Sequence, residues 1–233
     1  DAIENDGPIE PLDFNSAIEV RGLGFRFDDA ADEQWTLRGL NMKIAKGEKI
    51  GIRGTSGAGK TTLFNLLLGF LAPTEGEILI DGQRLDRTLA RRWQTSIGYV
   101  SQSVYIEDST IAGNIALGVD TDKIDRERLA DVIRRARLEE FIDQLPNGAD
   151  TAIGECGSRL SGGQRQRIGI ARALYKQADV LFFAEATSSL DDRTAQEINH
   201  ALEQLSREQS ALTIVVIAHR SSSLEYCDRI IEI

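Results

Sequence analysis

The run from Gly54 to Thr62 carries the clearest chemistry in the sequence. It reads Gly-Thr-Ser-Gly-Ala-Gly-Lys-Thr-Thr and lies between a short run typical of a strand and a run typical of a helix. Its glycines let successive N–H groups turn inward around phosphate oxygens, and the helix start adds unpaired donors. Lys60 is placed to reach the β- and γ-phosphates, and the Thr61 hydroxyl to ligate Mg²⁺. A glycine-rich turn that merely opens a helix is the alternative. The Lys-Thr pair at this offset favours a site for a nucleoside triphosphate.

The composition of the chain limits the kinds of partner and compartment that we expect. The chain has 233 residues, enough for one large domain, and a net charge of −10 that disfavours a nucleic-acid partner. Cys156 and Cys227 are too few for a disulfide framework and lack metal-ligand spacing, which indicates a reducing compartment. The sequence has neither an apolar run of about 20 residues nor a secretory signal. It opens on Asp1, and we expect it to be a segment of a longer polypeptide.

Periodicity predicts an α/β fold. Residues 1–16 contain two prolines among acids and are predicted to be a linker from an upstream membrane domain, with the main domain spanning 17–233. The apolar spacing of Leu129, Val132, Ile133 and Ala136 predicts one amphipathic helix in the stretch 122–145, within a helical insertion at about 101–175. We expect a parallel sheet with helices on both sides and an antiparallel β edge. The predicted strands are 18–27, 36–44, 48–53, 77–80, 97–100, 179–183, 212–218 and 229–233.

A second glycine-containing helix start indicates the family. Leu160-Ser-Gly-Gly-Gln164 precedes a helical run to Tyr175, with Ser161 as the N-cap, so a second anion-binding helix end is expected. Taken with the Gly54 loop, this run resembles the signature sequence of the ATP-binding-cassette (ABC) ATPases. The resemblance covers nearly the whole chain from about Ile18, and it implies a P-loop NTPase core that binds ATP and Mg²⁺.

The other family motifs follow in order along the chain. By resemblance, Gln102 is the Q-loop glutamine that senses Mg²⁺ and the γ-phosphate, Glu185 polarises the attacking water, and His219 is the switch histidine. Asp191 belongs to the D-loop, and Phe27 stands where an aromatic ring meets adenine. The catalytic set is thus Glu185, His219 and Gln102, and the metal set is Thr61 and Gln102. The nucleotide-binding set is Phe27, Gly54, Thr55, Ser56, Gly57, Ala58, Gly59, Lys60, Thr61, Thr62, Ser161, Gly162, Gly163, Gln164 and Asp191.

Each of these residues could also have a purely structural role. Glu185 could cap a strand end, His219 could be a hydrogen-bonded core histidine, and Gln102 could be a surface amide. Phe27 could pack in the core, and Trp35 is an alternative platform for adenine. The family pattern favours the functional reading of each.

Ala184 departs from the family pattern. The family has an aspartate at this position, directly before the catalytic glutamate, and that aspartate holds the Mg²⁺ shell. An alanine methyl cannot accept a hydrogen bond from metal-bound water. We therefore expect ATP binding with impaired hydrolysis, since losing such a partner typically costs about 10–100-fold in metal affinity or activity.

The resemblance also implies partners. Two such domains close head to tail, with each ATP between the Gly54 loop of one copy and the Ser161 run of the other. The run 151–157 resembles the loop that contacts the membrane domain in exporters, with Glu155 as the contacting acid, although its glycines could simply turn the chain. We expect the motor domain of an exporter on the cytoplasmic face of a membrane, similar to lipid or lipid-linked oligosaccharide flippases. A binding-only regulatory domain and a non-transport ATPase are the alternatives.

Overall fold

Two separate sheets form the framework of the domain. The computed structural model describes residues 9–27, 34–154, 160–184, 192–218 and 221–233. The strands in these ranges are β1 (Ala17–Phe25), β2 (Leu37–Ala45), β3 (Lys49–Arg53), β4 (Glu75–Ile80), β5 (Gln83–Arg84), β6 (Ile97–Val100), β7 (Val180–Ala184), β8 (Thr213–Ile217) and β9 (Arg229–Glu232). The parallel sheet has the order β6-β7-β8-β3-β9, and the antiparallel sheet has the order β2-β1-β4-β5. The predicted α/β class is confirmed, with the antiparallel strands forming a sheet of their own.

Helices cover both faces of the parallel sheet. They are α1 (Lys60–Leu67), α2 (Arg87–Ser96), α3 (Ile111–Ile115), α4 (Arg126–Arg135), α5 (Glu139–Asp143), α6 (Gly162–Tyr175) and α7 (Asp192–Glu208). Side chains of β7 and β8 alternate between two buried apolar clusters, one beside α3–α7 and one beside α1, α2 and the antiparallel sheet. Phe182 belongs to the α1 side and Phe183 to the α6 side. This alternation explains why the central strands are apolar throughout, as in parallel sheets buried on both faces.

The helix predicted from the spacing around Leu129 is two helices. Helix α4 ends at Arg135, and the chain turns at Arg137, whose φ of 54° is outside the helical range, before α5 begins at Glu139. The apolar spacing predicted buried positions correctly, since Leu129, Val132 and Ile133 are buried, but it carries no information about this turn.

Helix α2 was not predicted, although the sequence contains its start signal. The Asp86 carboxylate caps the helix by accepting a hydrogen bond from the Leu89 amide at 2.8 Å. The Trp93 ring is completely buried, and its indole N–H donates to the Leu67 carbonyl at 2.9 Å. Helix α2 thereby fixes the end of α1, the helix that follows the glycine-rich loop.

The last residues of the predicted linker pack on the domain. Leu12 and Phe14 are buried, and the Phe14 ring meets Trp93 edge-on at 5.7 Å. The Asp81 carboxylate accepts hydrogen bonds from the amides of residues 15, 16 and 17, at 2.6 to 2.8 Å. Residues 12–16 are therefore held against the fold, whereas residues 1–8 lie outside the described ranges.

Strand β6 and helix α6 lie unusually close together. A Cβ added to Gly98 of β6 would stand 2.4 Å from the Cβ of Ala173 of α6. Gly169 of α6 approaches Val100 and Val104 in the same way, with an added Cβ 3.0 Å from each. Glycine on both elements removes the side chain that would otherwise separate helix from strand.

Candidate nucleotide site

Three strands of the parallel sheet end beside predicted site residues. Strand β3 runs into the Gly54 loop, β6 runs into Ser101 and Gln102, and β7 ends at Ala184. The register places Ile52, Ile217 and Ala184 side by side on three adjacent strands. All of these strands are parallel, so their carboxyl ends share one edge, which is where open α/β sheets bind ligands.

The Gly54 loop has the backbone conformation that its glycines predict. Gly57 and Gly59 have φ values of 81° and 93°, which residues with a Cβ rarely adopt. Helix α1 begins at Lys60 with no side chain capping it and no acidic residue in its first turn. The positive end of α1 is therefore not neutralised by its own side chains, as an anion-binding helix start requires.

Lys60 places its ammonium group inside the loop. The residue is 6% exposed, and Nζ donates to the carbonyl oxygens of Gly54 at 2.8 Å and Thr55 at 2.7 Å. The exposed residues of the loop are Thr55, Ser56 and Gly57. A fixed cation beneath an exposed turn of backbone fits a phosphate group well.

The residues around the loop fit a magnesium ion carried by phosphates. Thr61 is exposed at the start of α1, and Gln102 is exposed after β6. Among the described residues no group of three or more His, Cys, Asp or Glu side chains could hold a metal. Magnesium is commonly bound through one or two protein oxygens, several waters and substrate phosphates, so a hydroxyl and an amide suit it.

The Ser161 run forms a capped helix start. The Ser161 hydroxyl oxygen accepts from the Gln164 amide at 3.2 Å, and the Ser161 amide donates to the Gln164 Oε1 at 2.8 Å. The hydroxyl hydrogen of Ser161 is not used in this capping box. Gly162 is exposed, while Gly163 is buried, with an added Cβ only 2.3 Å from Thr194 of α7. Gln164 therefore serves the cap, and Gly163 lets α7 approach.

The end of β1 lies beside the glycine-rich loop. Phe25 pairs with Leu37 of β2, and the Leu37 side chain would stand 2.8 Å from a Cβ added to Gly59. Phe27, two residues beyond Phe25, is 51% exposed and meets the Phe25 ring edge-on at 4.9 Å. An aromatic ring is thus presented to solvent near the loop rather than packed in the core.

Trp35 has a different environment from Phe27. The guanidinium carbons of Arg26 and Arg38 each lie 5.5 Å from the centre of the Trp35 ring. Two cations already stack against this indole, so Phe27 is the more available of the two rings for a base.

Several predicted site residues lie outside the described part of the chain. These are Glu185, Asp191 and His219, together with the proposed membrane-facing residue Glu155. Strand β7 ends at Ala184, directly before Glu185, and β8 ends at Ile217, two residues before His219. Their roles remain predictions.

The side chain of Ala184 points toward the α1 face of the sheet. It is half-buried against the same apolar cluster as Phe182, whose ring meets that of Phe64 of α1 edge-on at 5.5 Å. Phe64 is three residues after Thr61, one turn along the helix. Position 184 therefore lies on the same side of the sheet as α1, the helix that carries the candidate magnesium ligand.

Comparison with known proteins gives a consistent result. Residues 37–188 match the family model described as ABC transporter. Proteins named ATP-dependent lipid A-core flippase are similar, at 43% identity in Cupriavidus metallidurans and 41% in Ralstonia nicotianae. Each match covers 97% of this chain and 39% of the relative, so the chain spans about two fifths of the length of these proteins.

A solved structure agrees with these relatives. The ATP-bound structure of a bacterial Atm1-family ABC exporter superposes with a TM-score of 0.83 at 35% identity. The match covers 99% of this chain and 39% of the exporter chain. None of the described helices is long and apolar enough to cross a membrane. The resemblance stated from the sequence is confirmed, and the chain belongs to the ABC transporter family.

Proposed function

We propose that this chain is the ATP-driven motor domain of an exporter, with hydrolysis reduced because alanine replaces aspartate at position 184. The observation that carries the proposal is the loop around Lys60, where a buried ammonium, left-handed glycines and an uncapped helix start converge at the carboxyl edge of the sheet. The relatives are named as lipid A-core flippases, which supports a lipid-like cargo for the whole protein.

The proposed chemistry is divided among the residues of this chain. The loop and Lys60 bind the triphosphate, while Thr61 and Gln102 hold the magnesium ion, which when bound neutralises charge on the phosphates. Glu185 orients and polarises water, and His219 contacts the terminal phosphate. Asp191 belongs to the interface between two copies. Ala184 leaves the metal shell without one oxygen acceptor. This chain therefore binds ATP but hydrolyses it slowly.

Phe27 provides the proposed contact with the adenine ring. We expect a Phe27→Ala variant to raise the Kd for ATP roughly fivefold, because aromatic stacking is worth about 1 kcal/mol. Isothermal titration calorimetry with Mg²⁺ and ATP measures this change. Phe70→Ala is the matched control, since Phe70 is another exposed phenylalanine, with 56% of its surface accessible, and its ring meets that of Tyr99 in β6. Equal Kd values for Phe27→Ala and the unaltered chain would reject the assignment.

The Ser161 run is proposed to close on the nucleotide of a second copy. A Ser161→Asp variant keeps a good N-cap but adds a negative charge beside the triphosphate. We expect the ATP-dependent dimer, measured by light scattering, to weaken roughly tenfold through charge repulsion, with ATP affinity of the monomer unchanged. Thr110→Asp is the matched control, because Thr110 caps α3 through the Gly113 amide. An undiminished dimer in Ser161→Asp would contradict the head-to-tail arrangement.

The membrane partner is proposed to contact the loop that contains Glu155, on the cytoplasmic face. The test is a cysteine at position 155 in the full-length protein, which should crosslink to the membrane-spanning part. A cysteine placed instead at position 208, on α7, should give no such crosslink.

A binding-only regulatory role is the second candidate, and Ala184 is the observation that favours it. Turnover measurements on position 184 separate these two functions.

A further inference from the structure

A buried amide joins helix α6 to the loop that follows β6. Gln166 lies in the second turn of α6, five residues after Ser161, and is 3% exposed. Its Nε2 donates to the backbone carbonyl of Gln102 at 2.7 Å and to that of Ser101 at 3.2 Å. Both amide hydrogens therefore hold the loop that follows β6.

The oxygen of the same amide has no partner among the described residues. The Oε1 of Gln166 is buried and accepts no hydrogen bond from the part of the chain that the structure describes. A buried acceptor without a partner lowers the stability of the fold. An apolar side chain would therefore fill this space at a lower cost in free energy. The amide is thus placed for its two donor bonds, and these bonds end on the backbone of Gln102.

The loop that carries Gln102 is short and otherwise exposed. Gln102 and Ser103 are exposed, and the Ser101 hydroxyl donates to the Ser103 carbonyl at 2.7 Å, which keeps the turn compact. The Gln102 side chain projects from a backbone whose carbonyl is fixed from the α6 side. A shift of this carbonyl moves the side-chain oxygen that, under the proposed function, reaches the magnesium ion.

We propose that Gln166 is a positioning residue that fixes the Gln102 backbone to α6 and so places the Gln102 side chain for Mg²⁺ and ATP. The inference rests on the proposed function, since it requires Gln102 to meet the nucleotide. It also ties the Gln102 loop of one nucleotide site to the helix whose capped start is proposed to face the other site. The Gln102 loop and the Ser161 run are then parts of one structural unit, joined through α6.

The test is the ratio of ATP affinities with and without Mg²⁺. Calorimetry in magnesium and in EDTA gives this ratio for the unaltered chain, Gln102→Ala, Gln166→Met and the double variant. We expect Gln102→Ala and Gln166→Met each to reduce the magnesium-dependent gain several-fold, with the double variant no lower than Gln102→Ala alone. A packing role would alter stability and leave the ratio unchanged. Thermal unfolding of each variant identifies any that fail to fold.

Asn114→Leu is the matched control for Gln166→Met. Asn114 is also a fully buried amide, and its Nδ2 donates to the carbonyls of Glu107 and Thr110 at 3.1 and 3.0 Å. Its loss should lower the unfolding temperature and preserve the magnesium ratio. If Gln166→Met fails to fold, Gln166→Leu, which is of similar size and has no donor, takes its place and should lower the ratio in the same way.

The outcomes separate the inference from the proposed function. A normal ratio in Gln166→Met, or effects of the two variants that multiply in the double variant, would overturn the inference while ATP binding stands. An unchanged ratio in Gln102→Ala would remove Gln102 from the metal site and the inference with it. An absence of ATP binding by the unaltered chain would overturn the proposed function and, with it, this inference.

Discussion

Replacing Ala184 with aspartate is expected to raise Mg²⁺-dependent ATP turnover by about 10- to 100-fold. Position 184 ends β7 on the side of the sheet that packs against α1, and Thr61 lies in the first turn of α1. A carboxylate there accepts hydrogen bonds from metal-bound water, which the methyl group cannot do. Steady-state turnover of the variant beside the unaltered chain, at saturating ATP and across a series of Mg²⁺ concentrations, measures the gain.

Two further variants identify the source of that gain. Ala184→Asn adds an oxygen of similar reach but no charge, so it should recover only a small part of the turnover. Ala184→Asp combined with Glu185→Gln is the blank, because it restores the metal shell and removes the proposed water-activating carboxylate. Equal, substantial turnover in the unaltered chain and Ala184→Asp would show that another group holds the magnesium ion. No turnover in either, with ATP bound, would favour the binding-only role.

Replacing Lys60 with methionine is expected to raise the Kd for ATP by roughly 10- to 150-fold. The ammonium group is fixed beneath the loop by two backbone carbonyls, and a charge-assisted hydrogen bond is worth about 1.5–3 kcal/mol. Methionine keeps the length of the side chain and removes its charge and donors. Calorimetric titration with ATP gives the Kd of each protein.

The control for Lys60→Met is another lysine changed in the same way. Lys43 is exposed on the antiparallel sheet, where Nζ meets the Glu19 carboxylate at 2.9 Å, so Lys43→Met alters the net charge equally without touching the loop. Its Kd for ATP should match that of the unaltered chain. An equal loss of affinity in both variants would mean that long-range charge, rather than the position of Lys60, governs binding.

The elements with dense local signals could be predicted from the sequence. The apolar runs that became β7 and β8 alternate between two buried clusters, and continuous apolar runs of this length are typical of such strands. The Gly54 loop was predictable because glycine, lysine and threonine occur at offsets that only a phosphate-binding turn requires. Ser161 was predictable as a cap because its capping box uses residues three apart.

Features that depend on contacts distant in sequence could not be predicted. The bonds from Gln166 to residues 101 and 102 cross more than 60 positions, and no local pattern distinguishes this glutamine from an exposed helical one. The role of Gly163 depends on its approach to Thr194 in another helix. The exposure of Phe27 depends on where β1 ends, and a strand aromatic is more often core.

The glycine contacts between β6 and α6 bear on whether these two elements can move independently. Gly98 packs against the Ala173 methyl group, and Gly169 packs against the side chains of Val100 and Val104, so glycine backbone on each side meets a short side chain. Long side chains at such a contact could change rotamer and absorb a displacement, whereas this contact has little compliance. We therefore expect a displacement of α6 to move β6 with it, because the short side chains at this contact have few alternative rotamers.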